Sequence, residues 1–365
     1  MSIEKIADSL LSQALYYQAT DIHVLPRSKD YLVQFRIHGI LTSYKKIPIQ
    51  MGERFISHLK FLASMDIGEK RKPQSGSLQA YFSGILTSLR ISTLPTAKAK
   101  ESIVIRILHH KKTLSHQKLS LFPKSIQILQ NFMTQAHGLI LFTGPTGSGK
   151  STSMFSLADY CSKQLNRRVI SLEDPVEQQN DHFVQVQVNE KAGMSFHNGL
   201  KAVLRHDPDV ILIGEIRDAE TAFIAIRAAM TGHLVLSTMH TRDAKGALYR
   251  LIEFGVKHHD LEQTLLAVTS QRLVKLRCPF CGFACSKYCI RSQVSKRTGV
   301  YELLHSRSLQ AAMKELKGGE LFSPPLSLPK LIAKGVALGY ISDEEYEKWI
   351  IDEKNIDKRS RTIFY

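Results

Sequence analysis

Hydrophobic and polar positions alternate with two different periods along this chain, and the changes of period mark out its elements. Ile3, Ile6, Ala7, Leu10, Leu11, Ala14 and Leu15 share one side of a 3.6-residue repeat, which predicts an amphipathic helix over 3–19. Period two takes over in strands expected at 21–25 and 31–38, where Tyr31, Val33, Phe35 and Ile37 alternate with Gln34, Arg36 and His38. Gly39 marks a turn. A helix over about 51–65 follows, then strands near 76–82, 85–93 and 102–108, alternating in Leu89 and Ile91 and in Ile103, Ile105 and Ile107. Residues 1–110 thus predict a small α+β domain with a mostly antiparallel sheet. The polar, lysine- and histidine-rich stretch from His109 onward predicts a linker over 111–122.

Beyond it the pattern changes again. A helix near 123–136 leads to the continuous apolar run Gly138–Thr143, suited to a buried parallel strand. Helices near 150–165, 196–206, 219–231 and 243–254 alternate with strands near 168–172, 209–213 and 234–239. That succession predicts an α/β domain over 123–305 with a doubly wound, mostly parallel sheet. Residues 306–365 read as a helical region, interrupted by Pro324, Pro325 and Pro329.

The segment joining the apolar run to the next helix carries the first chemistry. Gly144-Pro145-Thr146-Gly147-Ser148-Gly149-Lys150-Ser151 fits GxxxxGK[ST] and is followed by Thr152. Such a loop turns backbone N–H groups around phosphates, its lysine reaches the β- and γ-phosphates, and its hydroxyl residue suits Mg²⁺. Met154, Leu157, Ala158 and Cys161 then recur at helical spacing, so the phosphates meet a helix N-terminus. The chain is expected to bind a nucleoside triphosphate.

Three further elements end apolar runs. Val210-Ile211-Leu212-Ile213 leads to Gly214-Glu215, where an acid can hold the Mg²⁺ water shell or the attacking water. Glu173 and Glu177 flank a second acidic turn after Ser171-Leu172. His240 follows Leu234–Met239, where a neutral imidazole can hydrogen-bond the γ-phosphate and report its loss.

Composition adds constraints. Lys+Arg 49 against Asp+Glu 33 gives a net charge of +16, concentrated in 45–72, 98–124 and 268–300. These blocks suit anionic lipid headgroups or nucleic acid, or else are solvated faces and inter-subunit arginines. No aromatic interleaving or recognition-helix pattern supports sequence-specific base reading. No run reaches the ~18 apolar residues of a membrane span, and the N-terminus has no signal pattern, so a cytoplasmic protein is expected. Cys278, Cys281, Cys285 and Cys289 cluster, which favours a structural Zn²⁺ over disulfides, with reduced free thiols as the alternative. Cys161 reads as a core thiol.

The order GPTGSGKST, EDPVE, ILIGEIRDAET and TGHLVLSTMHT resembles the secretion-ATPase superfamily, which serves type II secretion, type IV pili and competence pseudopili. The resemblance extends to Thr20–Val24, Val33–Gly39, Arg90–Thr96, Leu204–Asp209 and Ser270–Val274, covering essentially residues 1–305. It implies a RecA-like ATPase domain in a homo-hexamer, with ATP and Mg²⁺ at each interface and trans-acting arginines matched by Arg90 and Arg106. Within that resemblance Ser151 and Glu215 organise Mg²⁺, Glu177 or Glu215 activates water, and Glu173 belongs to the acidic cluster. Ala99-Lys100-Glu101 departs from the Gly-Glu that usually precedes the last strand of the first domain. The gap between cysteine pairs is also shorter than in pilus and type II assembly ATPases. A short chain with a compact four-cysteine element is similar to the competence pseudopilus branch of Gram-positive bacteria. That branch implies a polytopic membrane platform protein and pseudopilin subunits as partners, and a place at the cytoplasmic membrane. A nucleic-acid-stimulated translocase, an ATPase of another pilus or secretion system and a non-hydrolysing nucleotide-binding scaffold remain the alternatives.

Overall fold

The computed structural model describes residues 3–37, 39–82, 84–97, 100–108, 116–176, 178–189, 192–282 and 297–349. These fall into two compact units. The first contains α1 (Ile3–Tyr16), β1 (Ala19–Pro26), β2 (Asp30–Ile37), β3 (Ile40–Pro48), α2 (Ile49–Leu62), β4 (Gln74–Phe82), β5 (Ile85–Pro95) and β6 (Glu101–Leu108). Its strands form one antiparallel sheet in the order β3-β2-β1-β6-β5-β4. The apolar faces of α1 and α2 pack on it, with Leu10, Leu11, Phe55 and Leu59 against Ile22, Phe35, Ile91, Ile103 and Ile105. Helix α1 stops at Tyr16 rather than near residue 19 because Gln18 takes φ 54° and Ala19 already pairs with Ile37. Strand β3 was not expected from the pattern. It is an edge strand exposed along most of its length, so no buried side marks its period.

The second unit contains α3 (Pro123–Phe132), β7 (Gly138–Thr143), α4 (Lys150–Gln164), β8 (Val169–Glu173), β9 (Phe183–Gln187), α5 (Phe196–Val203), β10 (Val210–Ile213) and α6 (Ala219–Met230). It continues with β11 (Leu234–Met239), α7 (Ala244–Glu253), α8 (His258–Thr264), β12 (Leu265–Lys275) and β13 (Arg297–His305). Three helices complete it, α9 (Ser306–Leu316), α10 (Leu328–Ala337) and α11 (Asp343–Trp349). The sheet order is β13-β12-β7-β11-β10-β8-β9, parallel except for β13. Alternate residues of each central strand face opposite apolar layers. Leu139, Leu141, Ile211 and Ile213 join one, and Ile140, Phe142, Val210 and Leu212 the other. Both sides are covered, which is why these strands read as unbroken apolar runs.

The expected fold class holds for both units, but three strands of the second sheet escaped the pattern. β9 is a partly exposed edge. β12 buries Thr269, Ser270 and Gln271, polar residues that hide a core strand. β13 extends the sheet antiparallel to β12 as far as His305, and the helical region begins at Ser306.

Candidate active site

Strand β7 delivers the chain into the phosphate loop, and α4 begins at Lys150. The loop closes tightly on β12. A Cβ on Gly144, where φ is 140°, would lie 2.7 Å from the Gln271 carbonyl oxygen, and one on Gly149 only 3.1 Å from Gln271 Nε2. Gly147 has open space around it but φ 77°, so there the glycine serves the backbone turn alone. Lys150 is buried, and its ammonium donates to the carbonyl oxygens of Gly144 (2.8 Å) and Pro145 (3.1 Å). Burial pushes its pKa down to about 8, opposed by the Glu215 carboxylate. A desolvated cation at a helix N-terminus fits a polyphosphate. Ser151 and Thr152 are exposed on the first turn of α4.

The ends of β10 and β11 bring the next two candidates together. Ser237 Oγ donates to Ile213 O (2.9 Å), Thr238 Oγ1 to Gly214 O (2.7 Å), and Ile216 N to Thr238 O (2.9 Å). These bonds clamp the two strand ends, so Glu215 Oε1 lies 3.3 Å from His240 Nε2 and Oε2 accepts from Arg217 Nε at 2.8 Å. His240 is held neutral near pH 7. Burial lowers its pKa most, the Lys150 and Arg217 charges add to this, and Glu215 opposes them. Lys150, Glu215 and His240 therefore share one electrostatic site, built from three parallel strand ends.

The Type II/IV secretion system protein family model matches residues 1–322. The chain belongs to that family. It is 50% identical to Competence protein ComGA of Bacillus subtilis, over 97% of this chain and 99% of that protein. It is 39% identical to Type II secretion system protein E of Dickeya dadantii, over 82% of this chain and 59% of that protein. The crystal structure of the pilus retraction motor PilT with bound ADP aligns with a TM-score of 0.73 at 26% identity, covering 96% of this chain and 98% of that one. This member of the secretion family is an ATPase, and ATP is its nucleotide. Ser151 and Glu215 supply a hydroxyl and a carboxylate, the hard oxygen donors that Mg²⁺ prefers.

The remaining sequence candidates of this secretion ATPase are two further glutamates and two arginines. Glu173 is buried at the end of β8, its Oε1 accepting from Ser171 Oγ (2.6 Å) and Gln185 Nε2 (3.0 Å), which commits that oxygen to the β8–β9 edge. Glu177 lies outside the described residues. In the first unit, Arg90 and Arg106 face each other across β5 and β6. Asp21 pairs with Arg106 on one side and Arg36 on the other, so one row crosses four strands with three arginines and one acid. Burial would raise the Asp21 carboxyl, but the bonds from Arg106 and Thr20 outweigh it and hold it below the ordinary carboxylate value. Arg36 joins this row although the alternation reads it only as a polar strand position.

Cys161 is a core thiol, its pKa pushed up to about 12 by burial. Cys278 and Cys281 sit on a tight turn closed by reciprocal backbone bonds between Cys278 and Gly282 (2.8 and 2.9 Å). Cys285 and Cys289 lie outside the described residues, and no cluster of three metal-ligating side chains occurs among those described. Among the described residues no helix is long and apolar enough to cross a membrane.

Proposed function

We propose that this ATPase powers assembly of a competence pseudopilus for DNA uptake, working as a six-subunit ring on a membrane platform protein. The observation that carries the proposal is the end-to-end likeness to Competence protein ComGA. In this reading Lys150 and the loop amides hold the β- and γ-phosphates. Ser151 and Glu215 hold Mg²⁺, which when bound neutralises developing phosphate charge. Either Glu215 or Glu177 orients and deprotonates the water, and His240, neutral and beside Glu215, senses the γ-phosphate. Arg90 and Arg106 act on the site of a neighbouring subunit. The ring sits on the cytoplasmic side of the membrane through its platform partner and moves pseudopilins, with no sequence-specific contact to DNA. The four cysteines hold a structural zinc.

The decisive experiment replaces Lys150 by Ala in the competent cell and in the purified chain. Pseudopili, transformation and ATP turnover should all be lost together, with the protein level unchanged. Retained pseudopilus assembly would sink the proposal. DNA added to the wild-type enzyme separates the rival motor: a translocase shows many-fold stimulation that falls steeply with salt, and the assembly motor shows none. Metal analysis of the purified chain should find about one zinc, lost when Cys278 and Cys281 are both replaced by Ser.

A further inference from the structure

Strand β12 runs beneath the phosphate loop, and two of its buried polar side chains, Gln271 and Arg272, connect the loop to the rest of the sheet. Gln271 is fully buried, and its Nε2 donates to the backbone oxygen of Ser148 inside the loop (2.8 Å). Arg272 follows it. One guanidinium nitrogen donates to Gln271 O (2.9 Å) and the other to Arg242 O (2.6 Å), two residues beyond His240. The Gln271 oxygen it grips is the atom against which Gly144 is packed. One fork therefore clasps the strand that supports the phosphate loop together with the segment that carries His240.

The same guanidinium lies over the ring of Trp349, 5.6 Å from its centroid, at the end of α11. Burial lowers its pKa, opposed by the carboxylates of Glu302 and Asp243. Glu302 is itself buried on β13 and accepts the backbone amides of Ala244 (3.1 Å) and Leu328 (2.9 Å), the first residues of α7 and α10. Together these groups line a cavity of about 350 Å³ between the sheet and the C-terminal helices. Helices α10 and α11 are fastened to the chain leaving β12 by Arg277 N to Tyr340 O (2.8 Å) and Lys275 N to Glu345 Oε2 (3.3 Å). Val274, Val300, Leu331, Ile332 and Ile341 form a small core there. A shift of these helices must carry Trp349 and Leu328 with it, and both meet the Arg272–Glu302 pair.

We propose that Arg272 is a positioning residue through which the C-terminal helices set the ATP site, by fixing the spacing between the phosphate loop and the His240 segment. The physical reason for arginine is its planar fork, which reaches two carbonyl oxygens while its face rests on an indole. A lysine has one point of charge and cannot do both. The C-terminal helices are thus a control element for hydrolysis. The inference rests on ATP occupying the phosphate loop.

Trp349 is the only tryptophan in the chain, so the full-length protein reports on this junction without a label. Saturating Mg²⁺ with ADP or a non-hydrolysable ATP analogue should change its emission, with the same Kd as a fluorescent nucleotide. Arg272→Lys should abolish that response and lower kcat by about tenfold or more, while KM and nucleotide affinity change by less than about threefold. Trp349→Ala should lower kcat in the same way, and Trp349→Phe, which keeps an aromatic face, should restore most of it. An emission unmoved by saturating nucleotide, or an Arg272→Lys enzyme with wild-type kcat, overturns the proposal. If Arg272→Lys does not fold, the Trp349→Ala and Trp349→Phe pair decides, equal kcat in both being the adverse result. A wild-type chain that binds no nucleotide, or binds it as well after Lys150→Ala, would instead overturn the site assignment itself.

Discussion

Lys150 is an ammonium held by two carbonyl oxygens in a buried loop, and its pKa near 8 follows from what surrounds it. A bound polyphosphate supplies the anion that the free loop lacks, and so restores the charged form. Below about pH 8 the lysine is charged in both states and binding is insensitive to its titration. Between about pH 8 and 10 the free protein has lost the proton and the complex keeps it, so binding takes up a proton and weakens as pH rises. Calorimetric titration with ADP in two buffers of different ionisation enthalpy should show that uptake at pH 9 and far less of it at pH 7. For folding of the unliganded chain, the depressed pKa means that this lysine's contribution is present above the ordinary value of 10.5 and is lost as pH falls through about 8. The glycines of the loop set a second test. Gly144→Ala combines an unfavourable φ with a 2.7 Å approach to the Gln271 oxygen, and should abolish nucleotide binding in the same calorimetric assay while β7 and α4 remain folded.

Between elements, the first unit is pinned by a buried ion pair. Lys60 on α2 meets Glu101 at the start of β6, both nearly inaccessible, and Lys60 Nζ also donates to Glu69 O (2.8 Å). Removing one partner strands a buried charge, so Lys60→Met should cost on the order of 3 kcal/mol, measured by urea denaturation of the full chain. Lys60→Met with Glu101→Leu should recover most of that loss, since two apolar groups leave no charge unpaired. Glu101 belongs to the Ala99-Lys100-Glu101 departure noted in the sequence. From Glu101 the β5–β6 pairing runs unbroken from Pro95↔Glu101 to Ser88↔Leu108 and sets Arg106 opposite Arg90. The sequence makes an element visible when its neighbours bury it in a periodic way. β7, β8, β10 and β11 are covered on both faces by aliphatic side chains, and α1 presents a continuous apolar stripe. β3 and β9 are edges with little burial. β12 is buried but polar, because Gln271 bonds the loop above and Arg272 grips the Gln271 carbonyl, so neither joins an apolar layer. The phosphate loop, Glu215 and His240 were legible because motif chemistry lies in the residues themselves. The support beneath them was not, since it exists only after β12 and β13 have joined the sheet.

At the scale of the whole molecule, the row Arg36–Asp21–Arg106–Arg90 places three cations along one line of the first sheet with one carboxylate among them. Like charges at adjacent strand positions oppose sheet formation, so folding alone gives no reason for the excess. Asp21 accepts from Arg106 Nε at 2.9 Å and lies 3.8 Å from Arg36 Nε, whereas Arg90 has no partner among the described residues. A phosphate on a neighbouring subunit would account for an unneutralised guanidinium at this place. This proposal makes a prediction that only an assembled ring can meet. Lys150→Ala removes the phosphate grip of a subunit but leaves its arginines intact. The double variant Arg90→Ala, Arg106→Ala does the reverse. Each protein alone should be nearly inactive. Mixed after dissociation and reassembled, they should form some interfaces in which an intact loop faces intact arginines, and ATP turnover should rise well above the sum of the two. Arginines acting within their own subunit would leave every site defective, and the mixture would be no more active than its components. Sizing the mixture confirms that exchange has occurred, so unchanged activity in properly mixed rings would assign the arginine row to the fold or to another ligand rather than to catalysis across the interface.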